Sequence, residues 1–290
     1  MKTLIVNGDD FGLSPQVNAG ILRAHSDGIL TSTSLMVAEP ACADAVAAAR
    51  DYPGLDVGLH LVSCNGRSVL PARQLRGLVD DSGCFPRSEV WAGVRYVLRR
   101  ALRPKLRDEF RAQFDRHLAL VGYLNHVNGH HNLHLHPVLI DIVLDLAAAY
   151  RVPYVRVVRE PVFTSLALAR DHALRKLRDH LVFRWLSRRA RLRMSSLALS
   201  SNDWTFGFHQ TGSLSEQYLL GVLARLPEDA ITEIYFHPAM ALAGKVPPAT
   251  SRTQETELLT SPATRAVLNR LDIRLTTFRE LAARPVLEPQ

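Results

Sequence analysis

Short apolar runs that stop on acids or histidines, each followed by a helical stretch, recur along this chain and restrict it to a parallel α/β architecture. Residues 4–6 (Leu-Ile-Val) halt at Gly8-Asp9-Asp10-Phe11-Gly12; 57–61 carry His60; 123–128 lead to His130; 234–236 run into His237-Pro238. Further strands are expected at 31–37, 154–158 and 273–276. Ser14 and Pro15 read as the N-cap and first position of a helix that closes near Gly28. Other helices are expected at 41–49, 107–121, 137–150, 215–226 and 262–271. Strands this uniformly apolar are buried on both faces, and helices between them imply a parallel sheet closed or nearly closed on itself. The stretch 67–105 has no clear pattern beyond a turn at Asp80-Asp81-Ser82-Gly83.

The 290 residues suit one such fold, and 47% hydrophobic with 22% charged residues excludes a disordered chain. Cys42, Cys64 and Cys84 are an odd count without CxxC spacing, which argues against a disulfide framework and a cysteine zinc site. No apolar run of about 18 residues could span a bilayer. The first residues are too polar for a signal peptide, so a cytoplasmic protein is expected. The net charge of +7 is local: residues 166–194 hold nine Lys/Arg against Asp171 and Asp179, which equals the whole excess. A second basic run covers 95–107.

Ligands of parallel α/β folds bind beyond the C-terminal ends of the strands, where the acids and imidazoles of this chain cluster. Residues 126–136 contain five of the twelve histidines, and in an extended strand His126, Asn128 and His130 share one face. Two histidines plus a carboxylate leave metal coordination positions open for water and substrate. A histidine-rich loop that binds metal adventitiously is the competing reading, and for His126 and His134 a structural role is the default, while the role of His131 stays open. Paired aspartates allow one carboxylate to bind metal while its neighbour accepts a proton. Asp-Phe-Gly also occurs in kinases, but no glycine-rich loop or HRD triplet accompanies it; GxSxG, Walker and GxGxxG motifs are absent too.

Val6-Asn7-Gly8-Asp9-Asp10-Phe11-Gly12-Leu13-Ser14, Gly58-Leu59-His60-Leu61, the histidine cluster and Phe236-His237-Pro238-Ala239 resemble, in order and across nearly the whole chain, the YdjC-like carbohydrate deacetylases. Residues 32–38, 126–128, 134–137 and 208–212 resemble one branch, the hopanoid-biosynthesis-associated deacetylases. The resemblance implies a distorted (β/α) barrel, TIM-barrel-like, as a single domain over 1–290 with a basic helical insertion at about 160–200. It implies one divalent metal ion, zinc or magnesium, on Asp10, His60 and His130, with Asp9 as general base and His237 assisting the leaving amine. Asn128-Gly129 stands where the chitooligosaccharide-acting branch carries Asp-Ser, and Asn132 where relatives often carry histidine.

The implied reaction is metal-dependent hydrolysis of the N-acetyl group of a glucosamine-type sugar on a bacteriohopane-type lipid. A deacetylase for soluble chitooligosaccharides is one rival; a non-enzymatic basic protein binding nucleic acid or anionic membrane is another. The basic stretch is leucine-rich rather than aromatic-interleaved, so nucleic acid is not expected as a partner. Leu174, Leu177, Leu181 and Trp185 fall at helical spacing, with Arg175, Arg178, Arg188 and Arg189 on the flanks. Arg184, Arg188 and Arg189 are the arginines whose neutralisation is expected to weaken a membrane contact. An ordinary surface helix and an interfacial element touching the anionic inner membrane are the two readings of 166–194.

Overall fold

The computed structural model describes residues 1–241 and 251–283. Its strands are β1 (Lys2–Phe11), β2 (Ser32–Leu35), β3 (Asp56–Leu61), β4 (His126–Gly129), β5 (Tyr154–Val155), β6 (Trp204–Phe206), β7 (Ile231–Phe236) and β8 (Ile273–Leu275). The helices are α1 (Pro15–Ser26), α2 (Cys42–Ala49), α3 (Glu89–Leu98), α4 (Arg103–Val121), α5 (Ile140–Ala149) and α6 (Val162–Leu168). They continue with α7 (Ala173–Ser196), α8 (Glu216–Ala224), α9 (Ser251–Thr260), α10 (Pro262–Arg270) and α11 (Phe278–Ala282). All strand pairs are parallel, in the order β5-β4-β3-β2-β1-β7-β6, with β8 also against β1. The parallel sheet expected from the double-sided apolar strands is present, curled into a half-barrel with helices outside.

Between β5 and β6 the described residues form no regular ladder: a single parallel bridge, Tyr154 to Ser200, and the backbone bond from Thr205 N to Arg159 O are supplemented by side chains. Asn202 Oδ1 accepts from Val157 N at 3.0 Å, its amide donates to Val157 O at 2.9 Å, and Thr205 Oγ1 donates to the same carbonyl. β1 forms the buried centre: Leu4, Ile5 and Val6 are fully buried, and β7 lies alongside it from Thr3 to Gly8. Ser14 caps α1 by accepting from Val17 N, as its position before Pro15 predicts. Gly20 lets α1 approach the segment after β7, since a Cβ there would meet the Ala239 backbone at 2.4 Å.

Two local readings change. The strand expected to reach His130 covers only His126–Gly129; His131 and Asn132 turn left-handed (φ 54° and 53°), so His130 leaves the strand for a 3-10 turn. β6 has no counterpart in the sequence reading, because Trp204-Thr205-Phe206 is too short to show a period. Within 67–105, α3 starts at Ser88, whose side chain accepts from Trp91 N, and the turn forms where Asp80 Oδ1 accepts from Ser82 N and Cys84 N.

Candidate metal and active site

The register between β1 and β2 slips between Gly8 and Phe11, so that three steps on β1 match two on β2. This bulge matters because successive side chains of a regular strand point to opposite faces. Asp10 itself sits at φ 71°, a left-handed conformation that an aspartate adopts only at a cost. Together they bring Asp9 and Asp10, adjacent in sequence, to the same strand-end cavity. Asn18 fixes the turn that follows, accepting from Gly12 N at 2.8 Å and donating to Ala41 O at 2.9 Å.

His60 from β3 and His130 from the turn after β4 converge on Asp10. His130 Nδ1 lies 2.9 Å and His60 Nε2 3.3 Å from Asp10 Oδ1. One ligand atom from each of the three lies within 4.8 Å of the others, and all three residues are buried. The fit to a divalent cation is chemical as well as geometric: Asp10 Oδ1 is buried with no hydrogen bond, and two imidazoles with a carboxylate form a borderline-metal donor set. Burial works against the Asp10 carboxylate, but His130 and His60 hold it well below the usual range. The other end of His60, Nδ1, lies 2.6 Å from the Asn128 amide. With its oxygen toward the ring, Asn128 accepts the Nδ1 proton and leaves Nε2 free for a cation; with its nitrogen there, its oxygen accepts from Arg156 at 2.8 Å.

Asp9 is held differently. Arg156 Nη1 and Nη2 donate to its two oxygens at 2.7 and 2.8 Å, and Asn7 Nδ2 and Ser34 Oγ donate to Oδ1 at 2.7 and 2.9 Å. Burial raises its carboxyl, but Arg156, with His60 and His237 adding to it, more than offsets this and holds Asp9 well below the usual carboxylate range. Arg156 also donates to Glu233 Oε1 through Nε at 2.8 Å, and its guanidinium lies 4.6 Å from the Tyr235 ring centre. His237 lines the same cavity; its backbone N donates to buried Glu255, whose Oε2 is 4.0 Å from Nδ1. Arg252 Nη2 donates to Asp10 Oδ2 at 2.6 Å.

All five residues singled out in the sequence, Asp9, Asp10, His60, His130 and His237, therefore meet at one cavity of 710 Å³ or directly beneath it. His131 stands at its edge, ring to ring with His130 at 4.3 Å. His126 and His134 lie below: His126 stacks on Phe278 at 4.1 Å, and His134 Nε2 is 2.9 Å from Arg156 O. Burial pushes His134 down to about 3 and His126 well below its ordinary value, so both are neutral. Sequence reasoning missed Arg156, Glu233, Tyr235, Arg252 and Glu255. Arg156 and Glu233 did leave a signal, each being a lone charge inside or beside an apolar run.

A half-barrel with one divalent-cation triad at its strand ends and an ionised carboxylate beside it defines a metal-dependent hydrolase of the deacetylase type. The chain belongs to the YdjC-like protein family, whose model matches residues 3–270. It is 32% identical over 281 residues to a carbohydrate deacetylase of Brevibacillus brevis, covering 96% of this chain and 99% of that protein. A chitooligosaccharide deacetylase of Serratia marcescens is 29% identical, covering 97% and 99%. A crystal structure from Enterococcus faecalis shares the fold, with a TM-score of 0.72 at 24% identity over 97% of this chain and 98% of that one. Among the described residues no helix is long and apolar enough to cross a membrane.

Proposed function

We propose that this chain removes the N-acetyl group from N-acetylglucosamine-type sugars, with soluble chitooligosaccharides as the substrates best supported by its relatives. The observation that carries this is the Asp10–His60–His130 triad opening, with Asp9 beside it, into a cavity of sugar size. A divalent cation there supplies Lewis acidity toward an acetyl carbonyl and acidifies water. Asp9 accepts the proton of the attacking water, and the Arg156 pair keeps that carboxylate oriented. Glu233 shares the Arg156 guanidinium, accepting from Nη2 at 2.6 Å. His237, backed by Glu255, delivers a proton to the nitrogen as the amide C–N bond breaks, giving acetate and a free amine. Acetate release from diacetylchitobiose, abolished by a chelator and restored by zinc, magnesium or manganese, tests the reading; a metal-loaded protein that releases none would refute it.

The second reading, a lipid-borne sugar such as a glycosylated hopanoid with peripheral contact to an anionic membrane, has one observation in its favour. Leu174, Leu181 and Trp185 are exposed on α7, and Val90, Trp91, Val97 and Leu98 on α3 across the cavity. α7 packs on the fold through another face, with Leu186, Ala190 and Met194 buried. Arg189, among the arginines expected to meet headgroups, pairs with Asp141 at 2.7 Å while staying partly exposed. Arg184 and Arg188 have no carboxylate partner among the described residues. Parallel assays with an N-acetylated glycolipid decide between the substrates.

A further inference from the structure

A second cavity, of 610 Å³, lies between α7 and the open edge of the sheet. Val158, Phe183, Leu192, Trp204 and Phe208 give it apolar walls. Phe183 and Phe208 also line the active-site cavity, and their rings meet at 4.4 Å, so a two-ring partition is what separates the two spaces. The partition is built in: Glu160, buried, accepts from Phe208 N at 2.8 Å and His209 N at 3.0 Å, and its other oxygen accepts from Ser165 and Tyr218.

Charge at this cavity is one-sided. Arg159, Arg184, Arg188 and Arg191 line it, and the nearest carboxylate to any of them is Asp203, 4.0 Å from Arg191. Arg159 lies over Trp204 at 4.5 Å from the ring centre, which places a cation on the apolar wall itself. Glu160 is the one acid in the lining; it is buried, burial raises its carboxyl, and a single acid leaves the four guanidinium groups in excess. Apolar walls with four guanidinium groups against one buried acid complement a ligand with an apolar body and an anionic group.

We propose that this cavity is an aglycone subsite: it takes the apolar, acid-bearing part of a glycoside whose N-acetylated sugar lies over Asp10, His60 and His130. The inference rests on the deacetylase reading and departs from the soluble chitooligosaccharide as its substrate, favouring an anionic amphiphilic glycoside. The two cavities adjoin at Phe183 and Phe208, so such a molecule would span them alongside that ring pair.

The test uses the full chain and dodecyl phosphate below its micellar concentration, read by tryptophan fluorescence through Trp204. Binding at least tenfold tighter than inorganic phosphate is expected, weakened tenfold or more by Arg184→Gln/Arg188→Gln and by Leu192→Asp, all on the exposed side of α7. In turnover, a dodecyl N-acetylglucosaminide should show a lower KM than the methyl glycoside, and Leu192→Asp should erase that advantage while leaving the methyl glycoside unchanged. Equal affinity for dodecyl phosphate and phosphate overturns the proposal. So does binding insensitive to these substitutions, or a loss confined to anionic vesicles, which would make the patch a membrane contact instead. Failure to release acetate from either glycoside defeats the deacetylase reading and the aglycone role with it, whereas the fluorescence titration reads the cavity independently.

Discussion

Arg156 grips both carboxylate oxygens of Asp9, at 2.7 and 2.8 Å, and both side chains are almost wholly buried inside the half-barrel. A charge pair so deep is costly to desolvate, and Glu233 joins it to give one cation between two acids. Removing the arginine leaves two uncompensated carboxylates. Arg156→Met should therefore cost about 3–5 kcal/mol of stability by denaturant unfolding, while Arg156→Lys should fold better and still lose turnover because the two-pronged grip is gone. Equal kcat in the lysine variant and the native protein would show that the grip is not needed.

The triad and its backing residue separate by metal content. Ala at Asp10, His60 or His130 should strip the cation and end hydrolysis. Asn128→Ala should keep the fold and weaken metal affinity about 10–100-fold, because His60 Nδ1 loses its partner. Metal titration by calorimetry measures both; unchanged affinity in Asn128→Ala would assign the orientation of His60 to Ser34, 3.2 Å from the same nitrogen.

Asp9 and His237 should behave as proton carriers. Asp9→Asn is expected to retain metal and lose about 10²–10⁴-fold in kcat. Glu255→Gln should lower kcat more mildly, by loosening His237, with little change in KM. If Asp9→Asn turns over normally, the proton acceptor lies elsewhere.

Acid should unfold the chain through its buried neutral histidines. Burial lowers His117 to about 4 and His134 to about 3. In the unfolded chain both titrate near 6.5, so below that pH the unfolded state binds more protons and stability falls with pH until the folded values are reached. Each such histidine contributes a slope of about 1.4 kcal/mol per pH unit in the window from about 6 down to about 4. Melting curves across pH 4–7 measure the slope, which His117→Gln should reduce by about one proton.

On α7, Arg184→Gln/Arg188→Gln should weaken binding to anionic liposomes at low salt, and Arg189→Gln should instead loosen the helix from α5 by removing the pair with Asp141. Liposome co-sedimentation at two salt concentrations distinguishes them. Native protein that ignores the vesicles removes the membrane contact.

The chain by itself determined the parallel sheet, because apolar runs such as Leu4-Ile5-Val6 have no polar face to give to water. It also determined which strand ends carry chemistry, since Asp10, His60 and His130 interrupt those runs where the loops begin. Local composition also marked the basic stretch 166–194, too densely charged for a core element, within which the structure places most of α7. Only the tertiary structure decided how the site works. A bulge and a left-handed Asp10 turn two sequential aspartates toward one cavity, which the two-residue period forbids. Arg156 and Glu233, 77 residues apart, matter only once β5 and β7 face each other across the open barrel. His130 reaches the triad because His131 and Asn132 break the strand, and α7 gains two unlike faces only by packing. Sequence fixes burial and periodicity, which are properties of neighbours along the chain; pairing of buried charges and convergence of ligands depend on contacts between distant segments.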